Sequence, residues 1–114
     1  MPELNPYDSF PAAVTVCDPE GKITYMNPAA GRLFAKYGGT ALVGSNLLDC
    51  HPEPARSKLS GMLRDRRSNT YIVEKNGAQR MIYQTPWFAD DGSYAGFLEM
   101  SFEIPATIPK IVRS

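Results

Sequence analysis

The stretch FPAAVTVCDPEGKITYMNPAAGRLF, Phe10 to Phe34, decides the fold. Residues 12–17 and 22–27 are two runs rich in small and β-branched side chains, the composition of short strands. Between them Asp18, Pro19 and Gly21 supply turn chemistry, so the two runs are predicted to pair as an antiparallel hairpin. Asn27 followed by Pro28 reads as a helix N-cap with proline in the first turn. The spacing predicts a helix over residues 28–37, stopped by Gly38 and Gly39, with Ala30, Leu33, Phe34 and Tyr37 as one buried stripe.

Working outward, residues 40–54 keep no period long enough for more than a turn or two of helix. Helical spacing returns in EPARSKLSGMLRDRR, where Leu59, Met62 and Leu63 face one way and the charges the other. The remainder reads as three strands, NTYIVEK, QRMIYQTPWFA and SYAGFLEMSFEI, with turns at Asn76–Gly77 and Asp90–Gly92. In the last of these Leu98, Met100, Phe102 and Ile104 alternate with Glu99, Ser101 and Glu103, so the apolar set is expected to face the core. The strand before it carries Met81, Tyr83 and Trp87 on one face and Ile82 and Phe88 on the other, which predicts cover on both sides. The sequence leaves open which face carries Met81. The fold class that follows is α+β, a five-stranded antiparallel sheet with helices packed on one face. Residues 1–10 form a lead segment, 11–105 the domain and 106–114 an extended, proline-broken tail.

Composition narrows the function. A chain of 114 residues, 43% hydrophobic and 21% charged, can bury a core without disulfide or metal staples. Twelve Lys and Arg balance twelve Asp and Glu, so no net field draws the chain to nucleic acid or an anionic membrane. The basic cluster at residues 64–68 is interrupted by Asp65 and reads as a solvated helix end. No apolar run approaches the ~20 residues that span a bilayer, and the start lacks signal-peptide order, so a cytoplasmic protein is expected. Cys17 and Cys50 lie far apart, without a CxxC, and are expected as reduced thiols rather than zinc ligands or a disulfide. The single His51 has no Ser or Cys partner in a recognisable catalytic arrangement, so no enzyme is expected.

The ordered set of residues resembles the PAS sensory domains. The carriers are Pro11, Asp18, Gly21, Ile23, Asn27 and Ala30 in the opening stretch, then LVGSNLLD, then Gly77, Pro86, Asp91, Gly92 and Gly96 in the last three strands. The resemblance covers roughly Phe10 to Ile104. It implies a small cupped sheet closed by helices, in which Asn27 ties the second strand to the first helix. It also implies a signal-transduction role, by ligand or cofactor sensing, by dimerisation, or by both, in which the signal is passed to a kinase, cyclase or DNA-binding effector in the same chain or in trans.

On this frame a ligand pocket is expected between the inner face of the sheet and the helices, lined by Leu98, Met100, Phe102, Phe34, Leu47 and Met62. His51 lies in the segment that supplies a haem ligand in some PAS domains. Haem is therefore the alternative cofactor, with His51 as axial ligand and Met81 or Met100 on strands able to face it. The competing reading makes CHPEP the start of a helix, because the proline after His51 holds it outside the α region. A flavin adduct is not expected. In that subclass a cysteine directly follows GxN, whereas here Gly44, Ser45 and Asn46 are followed by Leu47, and Cys50 comes three residues later.

A second class of function is a pure dimerisation domain whose core is filled by its own side chains. A homodimer through the outer sheet face is expected, near Tyr83 and Trp87 or near Ile82 and Phe97. The rival cover for that face is the lead segment, through Leu4, Tyr7 and Phe10.

Overall fold

The computed structural model describes residues 5–114. A one-turn helix, α1 (Pro6–Ser9), precedes the hairpin of β1 (Ala13–Cys17) and β2 (Ile23–Met26), which pair antiparallel as the opening stretch predicts. Gly21 turns this hairpin at φ 90°, a left-handed conformation that costs glycine nothing. Helix α2 (Pro28–Leu33) follows, then short 3-10 helices at Ala35–Tyr37, Gly39–Leu42 and Leu47–Cys50, then α3 (Ala55–Asp65). Strands β3 (Asn69–Lys75), β4 (Ala78–Phe88) and β5 (Tyr94–Ile104) complete a five-stranded antiparallel sheet in the order β2-β1-β5-β4-β3. The helices pack on one face of it. Among the described residues no helix is long and apolar enough to cross a membrane.

Asn27 caps α2 and does more. Its buried side chain accepts from the Ala30 N–H and the Val14 N–H, each at 2.9 Å, and donates to the carbonyls of Ala12 at 2.9 Å and Tyr7 at 3.0 Å. One amide therefore joins the lead segment, β1 and α2.

Helix α2 is shorter than its periodicity predicts. Phe34 leaves helical geometry at φ −102°, ψ 21°, and the chain tightens into a 3-10 turn before Gly38. The expected stripe does not form: Ala30 is buried and Phe34 partly buried, but Leu33 and Tyr37 are exposed. The face that packs is instead Ala29, Ala30 and Gly31, small residues that let the helix lie close against β1.

The alternation of β5 has the predicted period and the opposite phase. Phe97, 2% exposed, joins the core with Ala13, Cys17, Ile23, Leu59 and Met62. Since side chains alternate, Glu99, Ser101 and Glu103 share its face, and Leu98, Met100, Phe102 and Ile104 point away from the helices. The register carries the same phase into β4, where Met81 pairs with Phe102 and Tyr83 with Met100, whereas Ile82 pairs with the buried Ser101. Two small groups on β1, Ala13 and Cys17, sit opposite Ser101 and Phe97. That pairing fixes which face of the sheet receives the helices.

Candidate functional site

The segment from Gly44 to His51 is tied to the hairpin turn by backbone bonds. The Gly44 N–H donates to the Ile23 carbonyl, the Ile23 N–H to Ser45, and the Leu47 N–H to Gly21. Asn46 adds an amide bond to the Glu20 carbonyl and accepts from the Leu48 N–H. This anchoring sets the position of His51, whose Nδ1 lies 2.8 Å from the Leu47 carbonyl. A carbonyl only accepts, so Nδ1 carries the proton, and in the neutral ring Nε2 presents a lone pair.

Glu53 steadies the start of α3 by accepting from the Ser57 N–H at 2.7 Å and from its hydroxyl, and these bonds hold its carboxyl below the usual carboxylate range. At the other end Arg66 takes a left-handed φ of 56° and stacks its guanidinium 4.5 Å from the centre of the Tyr94 ring. The Tyr94 hydroxyl donates to the Leu63 carbonyl, which fastens α3 to β5.

Between α3 and the inner face of β3 and β4 lies a cleft of about 340 Å³. This is at the small end of the range of about 300–1,000 Å³ that small-molecule sites occupy. Pro54, Ala55, Leu59 and Met62 form its helical wall, His51 borders it, and Asn69, Tyr71 and Gln84 form the sheet wall. The polar groups of the sheet wall are linked in a chain. Asn69 Nδ2 donates to Gln84 Oε1 at 3.5 Å, and Gln84 Nε2 donates to Glu99 Oε2 at 2.8 Å. Burial, reinforced by the charge on Glu99, raises the Tyr71 hydroxyl above the ordinary phenol value. Lys58 on α3 reaches across to Tyr71 on β3, its Nζ 5.7 Å from the ring centre.

Of the residues expected to line a pocket, His51 and Met62 do so. Leu47 is buried behind the cleft in the core, and Phe34 packs against the edge of that core. Leu98, Met100, Phe102 and Met81 lie on the outer face, a correction that follows from the phase of β5. Those strand residues are replaced by Tyr71, Gln84 and Asn69, which the sequence reading missed. No local signal separates the two faces of these strands; the pairing of Gln84 with Glu99, in phase with Ile82 and Phe97, comes from the strand register.

The haem alternative meets the same correction. The Nδ1–H bond of His51 is the support that a metal-bound imidazole needs. Across from it stand Asn69, Tyr71 and Gln84, while Met81 and Met100 are on the far side of the sheet, so the His/Met ligand pair does not fit. Among the described residues no group of three or more His, Cys, Asp or Glu is placed to hold a metal ion.

The outer face is strongly apolar. Tyr83, Trp87 and Phe102 are 43%, 39% and 42% exposed, and Ile72 is exposed beside them on β3. Ile82 and Phe97, the other pair considered for this surface, are buried on the inner face. Among its described residues the lead segment meets the sheet at the rim. Asp8 accepts from the Tyr25 hydroxyl at 3.1 Å, and Phe10 borders a groove with Met100 and Phe102; Leu4 lies outside the described residues.

The fold has counterparts in known proteins. Residues 7–107 match the family model described as PAS fold. No curated protein matches the chain. Among solved structures, a C-terminal domain from Streptococcus mutans is similar at TM-score 0.70 and 17% identity, with 90% of each chain covered. The PAS domain of Bordetella pertussis BvgS is similar at TM-score 0.64 and 18% identity, covering 87% of this chain and 81% of that one. The Aer2 receptor of Vibrio cholerae, described as a dual PAS-heme oxygen sensor, is similar at TM-score 0.62 and 19% identity, covering 82% and 95%. At these identities the structures share the fold, and the family match extends over nearly the whole sequence: the chain belongs to the PAS-fold family, a sensory class rather than a catalytic one.

Proposed function

We propose that this PAS domain is a signal-transduction module that binds a small molecule in the cleft between α3 and β3–β4 and homodimerises through the outer face of its sheet. The observation that carries the ligand reading is the cleft itself. It has an apolar helical wall and a hydrogen-bonded polar sheet wall, the combination that orients a small ligand.

Mass spectrometry of protein unfolded from a native preparation tests this reading. The wild type is expected to release a small molecule that an Ala55→Trp variant, with the cleft filled from the exposed helix wall, does not carry. Retention of the same molecule by the filled variant would overturn the cleft as the site. Hemin titration followed at the Soret band tests the haem alternative, and uptake that depends on His51 would put haem in place of the small molecule. The dimer is supported by the exposed aromatic face, since contiguous apolar patches on monomers rarely exceed a few hundred Å².

A further inference from the structure

We infer that the cleft selects a small monocarboxylate with an apolar or aromatic body, its carboxylate held at the mouth by Lys58. The inference rests on the cleft being the sensory site and concerns the charge of what it accepts. The two ends of the cleft differ in sign. At the mouth stands the Lys58 ammonium, stretched from α3 toward the Tyr71 ring. At the inner end Gln84 and Leu59 close the space, with only about 10 Å³ left behind them, and the Glu99 carboxylate sits beyond, bonded to Gln84. None of the described residues lining the cleft is acidic.

An anion is therefore drawn to the mouth and repelled from the inner end, while a cation meets Lys58 first. A neutral ligand offers the Lys58 ammonium no charged partner. The neighbouring cation, Arg56, is already 3.9 Å from the Asp49 carboxylate, whereas Lys58 has no ion-pair partner among the described residues. Behind the mouth, Ala55, Leu59 and Met62 provide an apolar bed for a ring or a branched chain.

Isothermal titration of the full chain with phenylacetate, phenylacetamide and phenylethylammonium tests this, with the Asn69 and Gln84 side-chain amide NMR signals reporting location. Phenylacetate is expected to bind roughly three- to tenfold tighter than phenylacetamide, and the gap to close in Lys58→Gln, an exposed position whose change leaves the fold intact. Equal affinity for the two probes, a preference for phenylethylammonium, or a carboxylate preference that persists in Lys58→Gln would overturn the inference. If both neutral and anionic probes shift the amide signals alike, the cleft remains the site and only the anion selectivity falls. If neither probe shifts them, the cleft reading falls with it.

Discussion

Asn27 carries more of the architecture than one amide ordinarily does, because its four bonds reach three separate segments and its side chain is fully buried. Replacing it with alanine strands two N–H donors and two carbonyls at once. Asn27→Ala is expected to lower unfolding free energy by about 3 kcal/mol in urea titration, well beyond the ~1 kcal/mol of an ordinary lost cap. Gly96 is constrained differently: at φ 142°, an added Cβ would lie 1.9 Å from the Cys17 carbonyl oxygen. Gly96→Ala therefore forces β5 away from β1, and circular dichroism is expected to show loss of the folded state. Cys17, beneath that contact, has its thiol pushed up from 9.0 to about 11, chiefly by burial, partly offset by a backbone bond from Phe97. The unfolded chain ionises this thiol at lower pH than the folded chain does. Its contribution is thus complete below pH 9 and is lost as pH rises toward 11. Unfolding titrations across that window should show the wild type losing up to about 2 kcal/mol relative to Cys17→Ala, a difference that cancels the tyrosines titrating in both proteins.

At the scale of the element, β5 shows how a strand can be read with the right period and the wrong face. Its larger apolar set, Leu98, Met100 and Phe102, is outward, and a single large residue, Phe97, holds the strand to the core. Substitution separates the two faces. Phe97→Ala is expected to cost about 3–5 kcal/mol, as for a fully buried ring, whereas Phe102→Ser should cost less than about 1 kcal/mol in the monomer. Equal losses at the two positions in denaturant unfolding would contradict the phase described here. Helix α2 teaches a related lesson. Its stripe required a continuous α period through residue 37; the 3-10 turn after Phe34 carries Tyr37 out of line, and Leu33, at the end of α2, lies off the face of Ala29, Ala30 and Gly31 that packs.

Over the whole molecule the two faces of the sheet have different tasks. The inner face holds the core and, beside it, a polar chain of Asn69, Gln84 and Glu99 under the cleft. The outer face offers Tyr83, Trp87, Phe102 and Ile72 to solvent. Light scattering across a micromolar concentration range is expected to give a mass that rises to twice that of the chain. In Tyr83→Ser/Trp87→Ser that rise should shift to higher concentration with little change in monomer stability. A mass that stays monomeric throughout would favour cover by the lead segment, whose Phe10 already borders Met100 and Phe102.

The sequence by itself determined the hairpin, the Asn27 cap, the long α3, the three later strands and the PAS family, because turn residues, a side-chain cap and hydrophobic period act within a few neighbouring residues. Of the candidate site residues it named, His51 and Met62 border the cleft. Only the tertiary structure decided which face of β4 and β5 meets the helices. Alternation along a strand defines two faces equally well, and the choice between them is made by distant partners: the small Ala13 and Cys17 opposite Ser101 and Phe97, and the close-packed Ala29, Ala30 and Gly31 of α2. The same choice brought Tyr71, Gln84 and Asn69 under α3 and turned Met81, Met100 and Leu98 away. The chemistry of the site was thus fixed by strand pairing across the fold rather than by any local motif.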